Sequence, residues 1–453
     1  MTPPATVTLS LVKGRLDPAR YVFDERTTCV LGRSTDCSPR LPNDEHHRTV
    51  SRHHCLLDIN PPDIRIRDFG SMNGTFVNGR KIGQREKGQT PEEGAAVQYP
   101  EHDLGDGDEI RLGNTVFRVG ISAPRTLRLA HCAKCGREAG SEMSGRSGEF
   151  LCSGCRSEPS AVARLLLDLA RSGRPDLAPI AGYELLRELG RGGMGAVYLA
   201  RRGSSGEQVA LKVMLPKVAA DADARVRFLR EAELTGALRH PNIAALYDSG
   251  FADGTFYFTT EFCTGGSLDQ LLRQRHGRLP AAQAVRIAVQ VLEGLDHAHG
   301  KSVVHRDLTP SNVLLQENLD GSTTAKVADF GIAKAFDRAG LSGLTRTGAT
   351  AGKPHFMPRQ QVINFKKAAP AVDVWALAAC LYHALTGHTP RDFPRDKDPW
   401  QTVLQSPAVP IRQRDPLIER RLAEVIDRAL TERPAIGFQS ADELRRALLP
   451  HAG

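Results

Sequence analysis

The residues that could do chemistry cluster in His305-Arg306-Asp307-Leu308-Thr309-Pro310-Ser311-Asn312, with Asp329-Phe330-Gly331 beginning seventeen positions after Asn312. They offer a candidate base, Asp307, and two candidate magnesium ligands, Asn312 and Asp329, in one short stretch. Phosphoryl transfer needs such a set, because the protein's task is to position a hydroxyl, hold metal ions on the phosphates and offset developing charge. Upstream, Gly190, Gly192 and Gly195 with Val197 read as a glycine-rich loop, where missing side chains let backbone N–H groups approach phosphate oxygens. Val209-Ala210-Leu211-Lys212 reads as a strand ending in a lysine that would pair the phosphates. Glu231, nineteen residues later in an expected helix, would hold that lysine in place.

These elements, in this order and spacing from about Tyr183 to Leu449, resemble the eukaryotic-like Ser/Thr protein kinases found in bacteria. The resemblance implies a two-lobed α+β catalytic domain over 183–450, with an N-lobe at 183–261 and a C-lobe at 264–450. It implies transfer of the ATP γ-phosphate to protein Ser/Thr hydroxyls, with Asp307 taking the hydroxyl proton, Asn312 and Asp329 holding Mg2+, and Lys212 orienting ATP. Leu189 and Val197 would close over the nucleotide, Ala210 and Leu314 would sandwich the adenine, and Thr260 would stand at the back of the pocket. Backbone groups of Glu261 and Cys263 would read the adenine edge from the hinge Phe258-Thr259-Thr260-Glu261-Phe262-Cys263. Asp373 matches the carboxylate that holds the catalytic-loop backbone from a buried helix; its other reading is a helix N-cap.

Several positions depart from the family pattern. Thr309 stands where the family's Ser/Thr members usually carry a lysine that meets the γ-phosphate. Gly352-Lys353-Pro354-His355-Phe356-Met357 aligns without gaps to the family's G-T-P-x-Y-M, so Lys353 stands where a threonine normally contacts that lysine. The two residues have traded places, and Lys353 is expected to reach the γ-phosphate and Asp307 with Thr309 as its hydrogen-bond partner. The family's Ala-Pro-Glu reads Pro358-Arg359-Gln360, and the arginine that its Glu bridges falls at Gly437. Losing one partner of a buried ion pair strands a charge at roughly 3–5 kcal/mol, whereas losing both is nearly neutral. Coordinated replacement therefore points to a working, divergent kinase. Arg306, directly before Asp307, goes in this family with activation by phosphorylation of the activation loop; Thr345 and Thr347 are the favoured sites among Ser342, Thr345, Thr347 and Thr350.

Residues 1–122 have another texture: short alternating runs such as Ile64-Arg65-Ile66-Arg67 and Val116-Phe117-Arg118-Val119, separated by Gly, Asn, Asp and Pro, the period-2 pattern of a small β-sandwich. Within it Gly32-Arg33, Ser51-Arg52-His53-His54 and Asn73-Gly74-Thr75 resemble the forkhead-associated (FHA) domain, a phosphothreonine-binding module. Arg33 offers a forked charge to a phosphate, Ser51 a hydroxyl donor, and Arg52 and Asn73 further contacts to phosphate or peptide backbone. His54 is expected to buttress the loop. The family often has Thr where Met72 stands.

Cys132-x2-Cys135 and Cys152-x2-Cys155, with sixteen residues between the pairs, have the spacing of a four-thiolate structural zinc site, read here as a zinc ribbon over 126–160. Two disulfides are the competing reading; nothing at the N-terminus resembles a signal peptide, and cytosolic thiols stay reduced. Val162, Leu165, Leu166 and Leu169 repeat at helical spacing, so 161–180 reads as a short helix and a linker.

The whole is thus expected to be multidomain: an all-β FHA sandwich, a small zinc ribbon and an α+β two-lobed kinase, using ATP, Mg2+ and structural Zn2+. Lys plus Arg total 60 against 52 Asp plus Glu, without a long basic block, so nucleic acid is not an expected partner. No apolar run reaches the roughly 20 residues of a membrane span, and the expected location is the cytoplasm. Expected partners are protein substrates and phosphothreonine-containing proteins, or the chain's own phosphorylated activation loop. The alternative is a pseudokinase scaffold in which the FHA domain is the functional module.

Overall fold

The computed structural model describes residues 5–35, 37–90, 97, 99–122, 131–137, 150–192, 195–203, 205–216, 222–330, 354–363, 369–394, 399–433 and 435–452. The N-terminal alternating runs form ten strands: β1 (Thr6–Lys13), β2 (Arg20–Phe23), β3 (Thr27–Leu31), β4 (Cys55–Asn60), β5 (Asp63–Asp68), β6 (Thr75–Val77), β7 (Arg80–Gly83), β8 (His102–Leu104), β9 (Glu109–Leu112) and β10 (Thr115–Ser122). They lie in two antiparallel sheets, ordered β2-β1-β10-β9-β6-β7 and β3-β4-β5-β8. Alternate residues such as Val7, Leu9, Cys29, Leu57, Ile66 and Phe117 meet in one core, as a period of two on each strand requires.

A second antiparallel sheet system follows, ordered β11 (Tyr183–Gly192), β12 (Gly195–Arg202), β13 (Gln208–Met214), β15 (Thr255–Glu261) and β14 (Leu246–Ala252). Helix α2 (Ala222–Gly236) lays Phe228 and Ala232 on Met214, Phe256 and Phe258 of this sheet. The other lobe is helical: α3 (Leu268–Gln274), α4 (Ala281–Gly300), α5 (Arg359–Ile363), α6 (Ala371–Thr386), α7 (Pro399–Gln405), α8 (Arg420–Ala429) and α9 (Ala441–Leu448), with the antiparallel hairpin β16 (Val313–Glu317) and β17 (Thr323–Val327). Ser267 and Gln270 close a reciprocal capping box at the start of α3. Helix α6 is buried at every position except His383, as its apolar run foretells. Among the described residues no helix is long and apolar enough to cross a membrane.

The segment read as helix and linker is anchored to the sheet through α1 and through the turn that follows it. Helix α1 (Pro159–Arg171) buries Val162, Ala163, Leu166 and Leu167 against Tyr183, Tyr198 and Val213 of the β11–β15 sheet. Leu177 and Ile180 of the following 3-10 turn are buried in the same cluster, and Arg174 pairs with Asp253 at 2.8 Å. The stretch thus acts as a brace and not as a free connection.

The ion pair that the family pattern leaves missing is replaced by another. Arg391, fully buried, donates to a carboxylate oxygen of Glu432. The other carboxylate oxygen of Glu432 accepts the Arg359 backbone N–H at 2.6 Å, and Arg391 also donates to the Met357 carbonyl at 3.1 Å. Gln360 donates to the Glu432 carbonyl at 2.7 Å. Helix α5 is therefore tied to the lobe at the point where the family's Glu would have held it.

Candidate active site

The segments carrying Asp307, Asn312 and Asp329 are laced together by backbone-directed bonds. His305, fully buried, accepts the Asp307 N–H at Nδ1 (3.2 Å) and donates from Nε2 to the Ala328 carbonyl (2.9 Å), which fixes its tautomer and ties the Asp307 loop to the residue before Asp329. Ala328 N–H donates to the Asn312 carbonyl at 2.9 Å. The Asn312 amide nitrogen donates to the Asp307 carbonyl at 2.7 Å, so its amide oxygen is the atom fit for a cation. Arg306 and Asp329 hold left-handed backbone, with φ of 64° and 60°, a conformation that non-glycine residues keep only where surrounding bonds over-determine it. Asp373 supplies those bonds for Arg306: its carboxylate accepts the N–H groups of His305 and Arg306, both at 2.8 Å, and the Nε2–H of His299 at 2.8 Å. Helix α6 is capped at Pro370, so Asp373 braces the loop from inside the helix and is not its N-cap.

Lys212 on β13 reaches across the cleft and donates to Asp329 at 2.7 Å. Burial alone would raise the Asp329 pKa, but the Lys212 ammonium outweighs it and holds the carboxyl below its ordinary range. Glu231 lies in α2, but its side chain is outside the described residues, so Asp329 is the carboxylate recorded against Lys212. An anionic oxygen from Asp329 and a neutral amide oxygen from Asn312 form a hard donor set that suits Mg2+.

Above this, Gly192 pairs with Gly195 and Gly190 with Val197 where β11 turns into β12. Gly195 has φ 147°, and a Cβ there would stand 1.9 Å from the Val213 carbonyl oxygen, so close passage over β13 demands glycine. Ala210 pairs with Thr260 across β13 and β15, and Leu314 bridges to Ser267 just past the hinge. Leu189, Val197, Thr260 and Leu314 are half-buried. The Glu261 carboxylate takes Lys326 at 3.0 Å. Cys263 is buried, and burial together with the nearby Glu261 pushes its thiol up to about 12, as an inert core cysteine should be. Thr309 is buried with its hydroxyl 3.0 Å from that of Ser311. Lys353, Thr345 and Thr347 lie outside the described residues.

In the N-terminal sandwich, Arg33, Ser51, Arg52 and Asn73 come together at one end. Ser51 Oγ accepts the Met72 N–H at 3.0 Å, Asn73 donates to the Thr49 carbonyl at 2.7 Å, and Arg33 donates to the Val50 carbonyl and to Asn43. His54 is fully buried: its Nδ1 accepts the Ser51 N–H at 3.0 Å and its Nε2 donates to the Gly74 carbonyl at 3.2 Å, the buttress expected of it. Burial lowers the His54 pKa and so favours the neutral ring that this pattern needs. A Cβ on Gly32 would stand 2.1 Å from the Arg52 carbonyl oxygen, so the loop's approach to β3 requires glycine.

The protein kinase domain profile matches residues 183–435, more than half of the 453-residue chain. The chain belongs to the protein kinase family. An FHA domain profile matches residues 29–113, within the sandwich. The kinase is 36% identical over 279 residues to the serine/threonine-protein kinase PknF of Mycobacterium tuberculosis (strain ATCC 25618 / H37Rv), covering 59% of this chain and 56% of PknF. It is 37% identical over 263 residues to PknD of the same strain, covering 58% of this chain and 38% of PknD. It thus spans only part of the length of these relatives. The crystal structure of the M. tuberculosis PknI kinase domain matches with a TM-score of 0.47 and 30% identity, covering 60% of this chain and 97% of that one.

The kinase also carries a four-cysteine cluster. The sulfurs of Cys132, Cys135, Cys152 and Cys155 all lie within 4.8 Å of one another, and Cys135 and Cys152 are 3.7 Å apart. A tetrahedron of Zn–S bonds has S–S edges of about 3.8 Å, so the donor set fits that ion. Burial would raise the Cys132 pKa, but backbone donors from Cys152, Cys135 and Lys134 bring its thiol down to about 6. Burial and the neighbouring thiols push Cys155 up to about 12. Cys132 and Cys152 belong to the same buried cluster as the N-lobe sheet. Cys29, Cys37, Cys55 and Cys380 are buried in apolar surroundings, away from this group.

Proposed function

We propose that this chain is a Ser/Thr protein kinase that transfers the γ-phosphate of ATP to protein Ser/Thr hydroxyls and carries a phosphothreonine reader. The observation that carries the reading is the lacing of Asp307, Asn312 and Asp329 through His305 and Ala328, with Lys212 bonded to Asp329 from the opposite lobe. Asp307 accepts the acceptor hydroxyl's proton as the oxygen attacks, Lys212 and Glu231 position the α and β phosphates, and the Gly190–Gly195 turn covers them with backbone N–H groups. Asn312 and Asp329 hold Mg2+, which supplies charge neutralisation on the phosphates. Adenine lies between Ala210 and Leu314, against Thr260, with the backbone of Glu261 and Cys263 along its edge. A pseudokinase scaffold would have no use for this full set of proton-accepting and cation-binding groups.

Four thiolates from Cys132, Cys135, Cys152 and Cys155 leave no open coordination position, so the zinc is structural. In the sandwich, Arg33, Ser51, Arg52 and Asn73 receive the phosphate of a phosphothreonine, in a substrate or in the chain's own phosphorylated loop at Thr345 or Thr347.

The test is incubation with Mg-ATP and mass spectrometry of residues 337–352 beside an Asp307→Asn control. Phosphate on Thr345 or Thr347 that disappears in the control supports the reading. Absence of phosphate there and on an added protein substrate in the unmodified chain would favour the scaffold.

A further inference from the structure

The outward face of the sandwich sheet β3-β4-β5-β8 is covered where β3 and β4 pair at Val30 and Leu56. On β3 and β4 the residues facing the sandwich core are Cys29, Leu31, Cys55 and Leu57. Val30 and Leu56, directly opposite each other across the two strands, therefore face out. The outward side of an antiparallel sheet is ordinarily its wet side, yet Val30 is 0% and Leu56 8% exposed. With Cys37 and Phe69 they form one apolar cluster with Met357 and Val362 at α5 and Val403 and Leu404 on α7. The FHA domain is thus seated on the kinase C-lobe, beside the end of the activation segment.

The seating leaves the reading end open. Arg52 and Asn73 are exposed, and Arg33 and Ser51 are half-buried. The flank of the same loop touches the C-lobe: His53 Nε2 lies 3.5 Å from the Arg359 guanidinium, and Cys37 in the interface donates to the Arg52 carbonyl at 3.2 Å. Two residues further along α5, Gln361 donates to the carbonyl of Arg306, the residue before Asp307, at 2.6 Å. One five-residue helix therefore touches both the phosphate-reading loop and the catalytic loop.

We propose that this docked reader makes the kinase selective for protein substrates that already carry a phosphothreonine. The bound phosphothreonine stays at Arg33, Ser51, Arg52 and Asn73 while a second Ser or Thr of the same chain is presented to Asp307. The acceptor oxygen forms a bond to the γ-phosphorus, the bond from that phosphorus to the ADP oxygen breaks, and the hydroxyl proton passes to Asp307. The inference rests on the reading of the FHA domain as a phosphothreonine binder. Because the reader is held by an apolar interface, the acceptor's effective concentration at the cleft depends on the spacing between the two sites. The length of α5 and the diameter of a helix separate the two loops by on the order of 15–25 Å, which an extended peptide crosses in about 5–8 residues.

The experiment uses the full chain and peptides bearing one acceptor Thr and one phosphothreonine, spaced from two to fourteen residues, beside the same peptides with Ala in place of phosphothreonine. The expected result is a kcat/KM at least about tenfold higher for the primed peptides, carried by KM, with a maximum at intermediate spacing. Leu56→Glu is expected to abolish the spacing optimum while leaving activity on the Ala peptide and affinity for a phosphothreonine peptide, read by fluorescence anisotropy, unchanged. Loss of that affinity in Leu56→Glu marks a damaged sandwich, and Val403→Glu, from the kinase side, then decides on the same readouts. A chain that binds no phosphothreonine peptide overturns the FHA reading itself. A chain that binds it but shows no gain from priming, or an optimum that persists in both variants, overturns the docked-reader inference alone.

Discussion

Under the proposed transfer reaction, Thr309 is where the chemistry would depend most on a residue elsewhere. Its hydroxyl, buried and 3.0 Å from Ser311, offers no charge to a γ-phosphate, so a side-chain cation that joins Mg2+ on that phosphate would come from another part of the chain. Lys353 is the one the aligned segment supplies. Lys353→Thr is expected to lower kcat by roughly 10²–10³, the usual cost of removing one transition-state donor, with the KM for ATP little changed. Adding Thr309→Lys to that variant restores the family's usual arrangement and is expected to recover most of the rate. Single-turnover phosphotransfer to a protein substrate measures both; a Lys353→Thr variant that transfers at the unmodified rate refutes the exchange. At this scale the sequence carries most of the site, because Asp307, Asn312 and Asp329 lie within one local stretch. It does not display His305 as a tautomer-fixed brace, since that depends on which carbonyl its second nitrogen meets in the fold.

At the scale of elements, α5 is held by a bond network that local pattern cannot disclose. Pro358-Arg359-Gln360 and Gly437 show that the family's ion pair is gone, but the substitute joins residues 41 positions apart, and no motif links Arg391 to Glu432. Arg391 lies over the Trp375 ring at 4.7 Å and donates to the carbonyls of Ser406 and Met357 at 2.8 and 3.1 Å, so its charge is enclosed and satisfied on every side. Removing it strands Glu432. Arg391→Met is therefore expected to destabilise the C-lobe by roughly 3–5 kcal/mol, and Arg391→Met with Glu432→Leu to regain much of that loss. Recovery stays incomplete because Glu432 also accepts the Arg359 N–H at 2.6 Å. Urea unfolding of the single and double variants decides it: equal losses in both would mean that the carboxylate, and not the pair, is what anchors α5.

Across the whole molecule, the described residues around the four cysteines and α1 share one buried cluster with the kinase N-lobe sheet. The helical spacing of Val162, Leu166 and Leu169 signals an apolar face, but periodicity never names the surface that covers it; here that surface is Tyr183, Tyr198 and Val213. Phe150 and Leu151, beside Cys152, are buried in the same cluster. Metal binding by thiolates contributes on the order of 10–16 kcal/mol to folding of small zinc modules, and a shared core passes part of that to the lobe it joins. Cys135, the exposed cysteine of the four, is the cleanest place to test this, since Cys135→Ser leaves the core's volume nearly unchanged. The unmodified chain is expected to bind one zinc per molecule. Cys135→Ser is expected to weaken zinc binding and lower the kinase thermal transition by at least about 5 °C, which for a domain of this size is a loss of roughly 2 kcal/mol. Its KM for ATP should rise, while its affinity for a phosphothreonine peptide stays unchanged because the sandwich has its own core. Zinc loss without movement of the kinase transition would mean that α1 alone braces the sheet. A fall in phosphopeptide affinity would mean that the N-lobe brace and the docked reader are coupled through the kinase body.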